Sequence, residues 1–216
     1  MSFFISFEGP EGSGKTTQAE LLAEFLEERG HTVNLTREPG GTSLSEKIRD
    51  LLLDPDHEDM NARTELFLYL AARSQHVSEK IQPALDRGEV VICDRFTDAS
   101  LVYQGIGRDL GLKRVRELNQ FATNDLEPDL TFILDVPMEQ GLSEARKRSR
   151  TRWNTQEGDR MEQETDEFHA SVRDGYRKIA EKNPQRYSVL TRKDSIDDTQ
   201  KQVRERVMEL IGTHAN

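Results

Sequence analysis

Five short apolar runs rich in β-forming residues recur along the chain, at Phe3–Phe7, His31–Thr36, Glu89–Cys93, Leu130–Val136 and Tyr187–Thr191. The segments between them are long enough, and periodic enough, for helices. Leu21, Leu22, Phe25 and Leu26 fall at helical spacing in a helix predicted over Thr16–Arg29, which stops near Gly30. Leu66, Leu70 and Val77 share a face of a long helix predicted over Ala62–Arg87, and a last helix is predicted over Asp197–Ile211. This alternation predicts an α/β fold in three layers, a five-stranded parallel sheet flanked by helices. Open parallel sheets bind ligands beyond the carboxyl ends of their strands. That rule directs attention to Gly9–Thr16, Arg37–Thr42, Asp94–Thr97 and the segment after Asp135.

One segment breaks the pattern. From Arg146 to Gly158 the chain turns basic and polar, with neither strand alternation nor a full apolar helix face. The expectation is a short mobile lid, about residues 146–160, joining two helices.

Composition narrows the partners. With 216 residues and 34% hydrophobic content, the chain can fill one packed core, so a single domain is expected. Its formal charge of −10 repels polyanions, which argues against nucleic-acid and anionic-membrane binding. Any phosphate site must be built locally. The first apolar stretch meets Glu8 early, and no 18-residue apolar run follows, so a soluble, cytoplasmic protein is expected. Cys93 is the sole cysteine and sits in an apolar run, which predicts a buried structural thiol.

The chemistry starts at Gly9-Pro10-Glu11-Gly12-Ser13-Gly14-Lys15-Thr16, a G-x-x-x-x-G-K-[ST] loop between a predicted strand and a predicted helix. The glycines let backbone N–H groups turn inward around phosphates, and the following helix adds its positive dipole end. Lys15 reaches the β- and γ-phosphates, and Thr16 offers a hydroxyl to Mg²⁺. Switch GTPases, motor ATPases and small-molecule kinases share this cradle. No N-K-x-D guanine motif occurs, which excludes the first.

Four blocks carry a resemblance to the bacterial thymidylate kinases, a family of P-loop nucleoside monophosphate kinases. They are Phe7–Gln18 (with the loop and Thr17), Arg37-Glu38-Pro39-Gly40-Gly41-Thr42, Asp94–Gly105 (opening Asp94-Arg95-Phe96) and Asp159-Arg160-Met161-Glu162. The similarity runs over essentially the whole chain. It implies a P-loop kinase fold, ATP as phosphoryl donor, dTMP as acceptor, dTDP and ADP as products, Mg²⁺, a role in dTTP synthesis, and a homodimer.

The resemblance also assigns residues. Gly9, Glu11, Gly12, Ser13, Gly14, Lys15, Thr16 and Thr17 hold the donor, and Thr16 and Asp94 serve the metal. Arg95 and Arg37 face the acceptor phosphate, where a planar guanidinium neutralises and aims. Tyr69 stacks on the base and Arg73, four residues on, bonds a base carbonyl; tyrosine stands where phenylalanine is usual. Ser100, Tyr103 and Gln104 line the nucleoside, with Tyr103 crowding the sugar 2′ position, and Glu11 meets the 3′-hydroxyl.

The loop's variable positions contain no base, which resembles the bacterial subgroup that brings an arginine from the lid. Arg160 is the candidate for stabilising the moving phosphoryl, and Arg146 or Arg148 for lying against adenine. Arg150 and Arg152 have no counterpart, because Ser149–Gly158, with Trp153, is longer than the usual bacterial lid. Other readings are a guanylate-type or other monophosphate kinase, a regulatory ATP-binding module, and a degenerate homologue. Intact Lys15, Thr16, Asp94 and Arg95 argue against the last two.

Overall fold

The structure, a computed structural model, describes residues 2–153, 158–191 and 195–214, with backbone alone for 148–153, 213 and 214. The first half of the chain runs β1 (Phe3–Glu8), α1 (Lys15–Glu27), β2 (Val33–Arg37), α2 (Ser43–Leu53), α3 (Ala62–His76), α4 (Gln82–Asp86) and β3 (Val90–Asp94). It continues with α5 (Thr97–Ser100), α6 (Leu112–Thr123), β4 (Leu130–Asp135), α7 (Met138–Trp153), α8 (Asp166–Lys182), β5 (Tyr187–Thr191) and α9 (Ile196–His214). The five strands form one sheet in the order β2-β3-β1-β4-β5, every neighbouring pair parallel. All five predicted strands are present, with ends shifted by at most two residues.

Strand β1 is central and buried on both faces. Phe3, Ile5 and Phe7 join a core with Leu22 and Leu26 of α1 and Val203 and Val207 of α9. Phe7 stacks on Phe132 of β4 with ring centroids 5.1 Å apart. The opposite face sends Phe4 into a second cluster with Val77, Ile81, Val91 and Phe96. Each such side chain stabilises the fold by about 1.5–3 kcal/mol through removal from water. A sheet covered on both faces leaves its carboxyl edge as the open place for a ligand. Cys93 is fully buried, and its thiol donates to the Arg95 carbonyl at 3.0 Å.

Two elements differ from expectation. The helix predicted over Ala62–Arg87 is interrupted by a wide turn at Val77–Ile81, where the Gln82 N–H reaches back to the Val77 carbonyl. Pro83 explains it: proline lacks an N–H and its ring clashes with a carbonyl one helical turn earlier, so the ladder loosens there. The basic stretch from Arg146, in which no full apolar helix face is legible, continues α7 as helix as far as Trp153. Arginine, lysine and glutamate are good helix formers. A helix already nucleated on packed residues, here Leu142 and Ala145, propagates without an apolar face of its own. Among the described residues no helix is long and apolar enough to cross a membrane.

Candidate active site

The loop from Gly9 to Gly14 carries the chain from β1 into α1. Gly12 has φ 64°, and a Cβ there would come within 1.9 Å of the Gly141 carbonyl oxygen of α7. Glycine is required on both counts. The Lys15 ammonium donates to the carbonyls of Pro10 at 2.8 Å and Gly9 at 3.2 Å and to Ser13 Oγ at 3.3 Å. Burial, joined by the Arg95 charge, lowers its pKa to about 8. The first turn of α1, which contains Thr17, carries no acidic residue, so its dipole remains available to an anion.

Thr16 Oγ1 donates to Asp94 Oδ2 at 2.5 Å, so β3 delivers its terminal carboxylate to the start of α1. Two adjacent oxygen donors suit a hydrated Mg²⁺ that shares its remaining positions with phosphate oxygens. Among the described residues no cluster of three or more His, Cys, Asp or Glu forms an all-protein cage.

A cavity of about 260 Å³ runs from this loop along the carboxyl edge of the sheet, and Arg37, Arg49, Arg95, Tyr69, Arg73 and Gln104 are among its lining residues. Arg95 sits at its centre with φ 70°, a left-handed conformation that costs a non-glycine residue of order 1–3 kcal/mol. Its N–H donates to the Phe7 carbonyl at 2.9 Å. Its Nη1 donates to Gly9 O and Tyr176 Oη at 3.1 Å each, and Nη2 to Glu11 Oε1 at 2.9 Å and Tyr103 Oη at 3.1 Å. Tyr176 in turn donates to Glu8 Oε2 at 2.8 Å. Burial, reinforced by Asp98, pushes Glu8 up to about 7. Glu11 is half-buried, and the Arg95 and Lys15 charges overcome its desolvation and hold it at about 2. Arg37 and Arg49 both donate to the Pro39 carbonyl, at 3.0 and 2.8 Å, and Arg37 pairs with Glu46 at 2.9 Å. Three guanidiniums therefore border the middle of the cavity.

The far end is built from α3, α5 and the wide turn Leu101–Gly107 that follows α5. Arg73 is 1% exposed; Nε donates to Glu38 Oε2 at 2.7 Å, Nη1 to Ser100 Oγ at 2.9 Å and Asn119 Oδ1 at 2.6 Å, and Nη2 to the Phe96 carbonyl at 2.9 Å. A guanidinium has five N–H groups, so one is left for a ligand. Tyr69 lines the same end, and burial pushes its phenol well above the usual range. Tyr103 Oη donates to Glu11 Oε1 at 3.1 Å, which ties the wide turn after α5 to the loop.

The structure brings together Glu11, Gly12, Ser13, Gly14, Lys15, Thr16, Arg37, Tyr69, Arg73, Asp94, Arg95, Ser100, Tyr103 and Gln104 around one cavity. Arg146 ties α7 to the segment ahead of α8, its Nη2 donating to the Glu162 carbonyl at 3.0 Å. The Arg148, Arg150, Arg152 and Trp153 side chains lie outside the described residues.

Arg160 is placed differently from expectation. It is 4% exposed and off the cavity wall: Nε donates to the Leu52 carbonyl at 2.8 Å and Nη1 pairs with Glu65 Oε2 at 2.7 Å. Its Nη2 is buried without a hydrogen-bond partner, and moving Nη1 away from Glu65 would leave a fully buried carboxylate with one cation fewer, a costly exchange.

Sequence reasoning passed over Arg49, Glu8, Glu38, Glu65, Arg108 and Tyr176. Glu65 was open to it, standing four residues before Tyr69 on the helix face that also carries Arg73. The partners of the others come from distant elements and leave no local trace.

A parallel sheet with a phosphate loop after its central strand, and an arginine-bordered acceptor cavity at the ends of β2 and β3, defines a P-loop nucleoside monophosphate kinase. The sequence matches the family profile described as thymidylate kinase over residues 7–203. It is 50% identical to the thymidylate kinase of Syntrophotalea carbinolica over 198 residues, 92% of this chain and 91% of the relative. With that of Ectopseudomonas mendocina it shares 54% identity over 187 residues, 87% and 86% of the two chains. The crystal structure of thymidylate kinase from Ehrlichia chaffeensis superposes with a TM-score of 0.76 at 38% identity, covering 96% of this chain and 98% of that one. The chain belongs to the thymidylate kinase family.

Proposed function

We infer that the protein transfers the γ-phosphoryl group of ATP to the 5′-phosphate of dTMP, giving dTDP and ADP. The observation that carries this reading is the single cavity joining the phosphate loop to a pocket of Tyr69, Arg73, Ser100 and Gln104, with arginines between. An acceptor monophosphate laid along it has its base at Tyr69 and Arg73, its sugar at Tyr103 and Glu11, and its phosphate at Arg95, Arg37 and Arg49. A 5′-phosphate oxygen then attacks the γ-phosphorus in line, and the bond to the β-phosphate oxygen breaks as ADP leaves.

The protein's work is positioning and charge stabilisation. Lys15 lies on the β/γ side. Arg95, anchored by Tyr176 and Glu11, holds the acceptor phosphate against its own repulsion from the donor. Thr16 and Asp94 are the residues that would hold Mg²⁺, which would supply neutralisation of the donor's phosphate charge. The Tyr103 ring, buried and fixed by two hydroxyl bonds, leaves little space for a ribose 2′-hydroxyl.

A homodimer fits the surface. Phe121 is 90% exposed, Phe67 59%, and Leu44 and Leu51 about half, on α6, α3 and α2, which pack in succession. Large exposed apolar groups on neighbouring helices mark a contact face, and a sedimentation mass of twice 24.8 kDa checks it.

The decisive assay is ADP release from Mg·ATP with a panel of monophosphates. dTMP is expected to be used well, dUMP less well and UMP very poorly. Preference for a purine monophosphate would overturn the reading, and equal use of dUMP and UMP would remove Tyr103 from the sugar site.

A further inference from the structure

We propose that Glu65 and Arg160 are specificity-determining positioning residues, which lock the Gln104 amide so that only its carbonyl oxygen is presented to the acceptor base. The inference rests on the dTMP kinase reading above and concerns residues that touch no substrate.

Glu65 is fully buried on α3, one turn before Tyr69. Its Oε1 accepts from Gln104 Nε2 at 2.8 Å and Arg108 Nε at 3.2 Å. Its Oε2 accepts from Arg108 Nη2 at 2.9 Å and Arg160 Nη1 at 2.7 Å. Four bonds fill the acceptor capacity of a carboxylate. Arg108 also donates to Glu164, so two carboxylates face two guanidiniums and the cluster is neutral as a whole. Although burial raises the Glu65 pKa, the bonds and charge of Arg108, with Arg160, bring it below the ordinary value, so Glu65 is ionised.

An ionised carboxylate only accepts. The end of Gln104 that meets it must therefore be the NH₂, and the planar amide turns its carbonyl oxygen the other way. Gln104 lines the cavity beside Tyr69 and Arg73. A carbonyl presented there accepts from a base carrying a ring N–H at position 3, as thymine and uracil do. Cytosine offers no donor at that ring position, because its N3 is an acceptor and its nearest N–H groups are on the exocyclic 4-amino substituent. A flipped amide would reverse that preference, and Glu65 prevents the flip. Arg160 holds Glu65 from the lid side, its own stem clamped to the Leu52 carbonyl next to the cavity residue Leu53. Base recognition is thereby tied to the segment ahead of α8, through a guanidinium bonded to the Leu52 carbonyl and Glu65.

The test uses the intact protein with Mg·ATP and compares kcat/KM for dTMP with that for dCMP. Glu65→Gln is expected to lower the dTMP/dCMP ratio by about tenfold or more, chiefly through the dTMP KM, because a site built to bond a donor loses that selectivity when the amide can turn. Arg160→Ala is expected to shift the ratio the same way, while Arg160→Lys, which keeps a charge at Glu65, retains most of it. The ATP KM, which a general folding defect would move, is expected to stay within about twofold. An unchanged ratio in folded Glu65→Gln overturns the proposal. So does an Arg160→Ala enzyme that loses kcat with its dTMP KM and base preference intact, since that is the behaviour of a group acting on the phosphoryl. Should Glu65→Gln fail to fold, the Arg160 pair decides by the same ratio. A wild-type enzyme with no preference for dTMP over dCMP overturns the functional reading and this inference with it, whereas retained preference in both variants overturns this inference alone.

Discussion

Replacing Arg73 by alanine tests the base pocket and the core at once. The guanidinium and the Glu38 carboxylate are 1% and 3% exposed and 2.7 Å apart. Removing one partner of a buried pair leaves the other charge desolvated, at a cost of about 3–5 kcal/mol. For a domain of this size each kcal/mol lowers Tm by about 2–4 °C, so Arg73→Ala should unfold about 6–20 °C earlier in a thermal melt. His76 Nδ1 meets Glu38 Oε1 at 3.0 Å, so the Oε2 served by Arg73 is the oxygen that loses its donor. A base carbonyl that loses a charged donor should bind about 1.5–3 kcal/mol more weakly, raising the dTMP KM by about 10- to 150-fold. The ATP KM should change little. Arg73→Met combined with Glu38→Gln removes both charges and should recover part of the lost stability. A Tm drop below about 2 °C, or a double variant no more stable than Arg73→Ala, would refute the argument. The pH dependence has a definite sign: the Glu38 pKa is lowered below 4.5 in the fold, because Arg73 and His76 outweigh its burial. Its contribution is therefore complete above the unfolded value and is lost as pH falls through the folded one.

Lys15→Ala should leave the melt nearly unchanged while cutting phosphoryl transfer by about 10³-fold or more, since it removes charge at the reacting phosphates rather than core volume; near-normal turnover would sink the cradle assignment. Lys15 titrates at about 8 in the free enzyme and the protonated form is the one needed. The kcat/KM for ATP should accordingly fall above about pH 8, and a flat profile to pH 9.5 would argue against it. Gly141→Ala would place a Cβ 2.3 Å from the Glu11 carbonyl oxygen. Backbone must move, so α7 should separate from the loop and raise the ATP KM, and an unaffected KM would show that α7 need not touch the loop for donor binding.

The residues that line the cavity were reached through the family resemblance; the sequence alone determined the five strands, their alternation with helices and the phosphate loop. These are properties of neighbours in the chain: runs of apolar residues, glycine at special φ, Lys15 and Thr16 at the first turn of a helix. Arg95 was readable for the same reason, standing directly after a strand that ends at the sheet's open edge. The tertiary structure decided what each charge is for. Arg160 and Arg73 look alike in sequence as arginines near family motifs, and both pair with buried carboxylates, Glu65 and Glu38, yet of the two it is Arg73 that lines the cavity. Burial and pairing are set by which distant segments meet. The cost of moving a charge from water into the interior exceeds any local preference, so the role of a guanidinium is settled only by the carboxylate that the fold places against it.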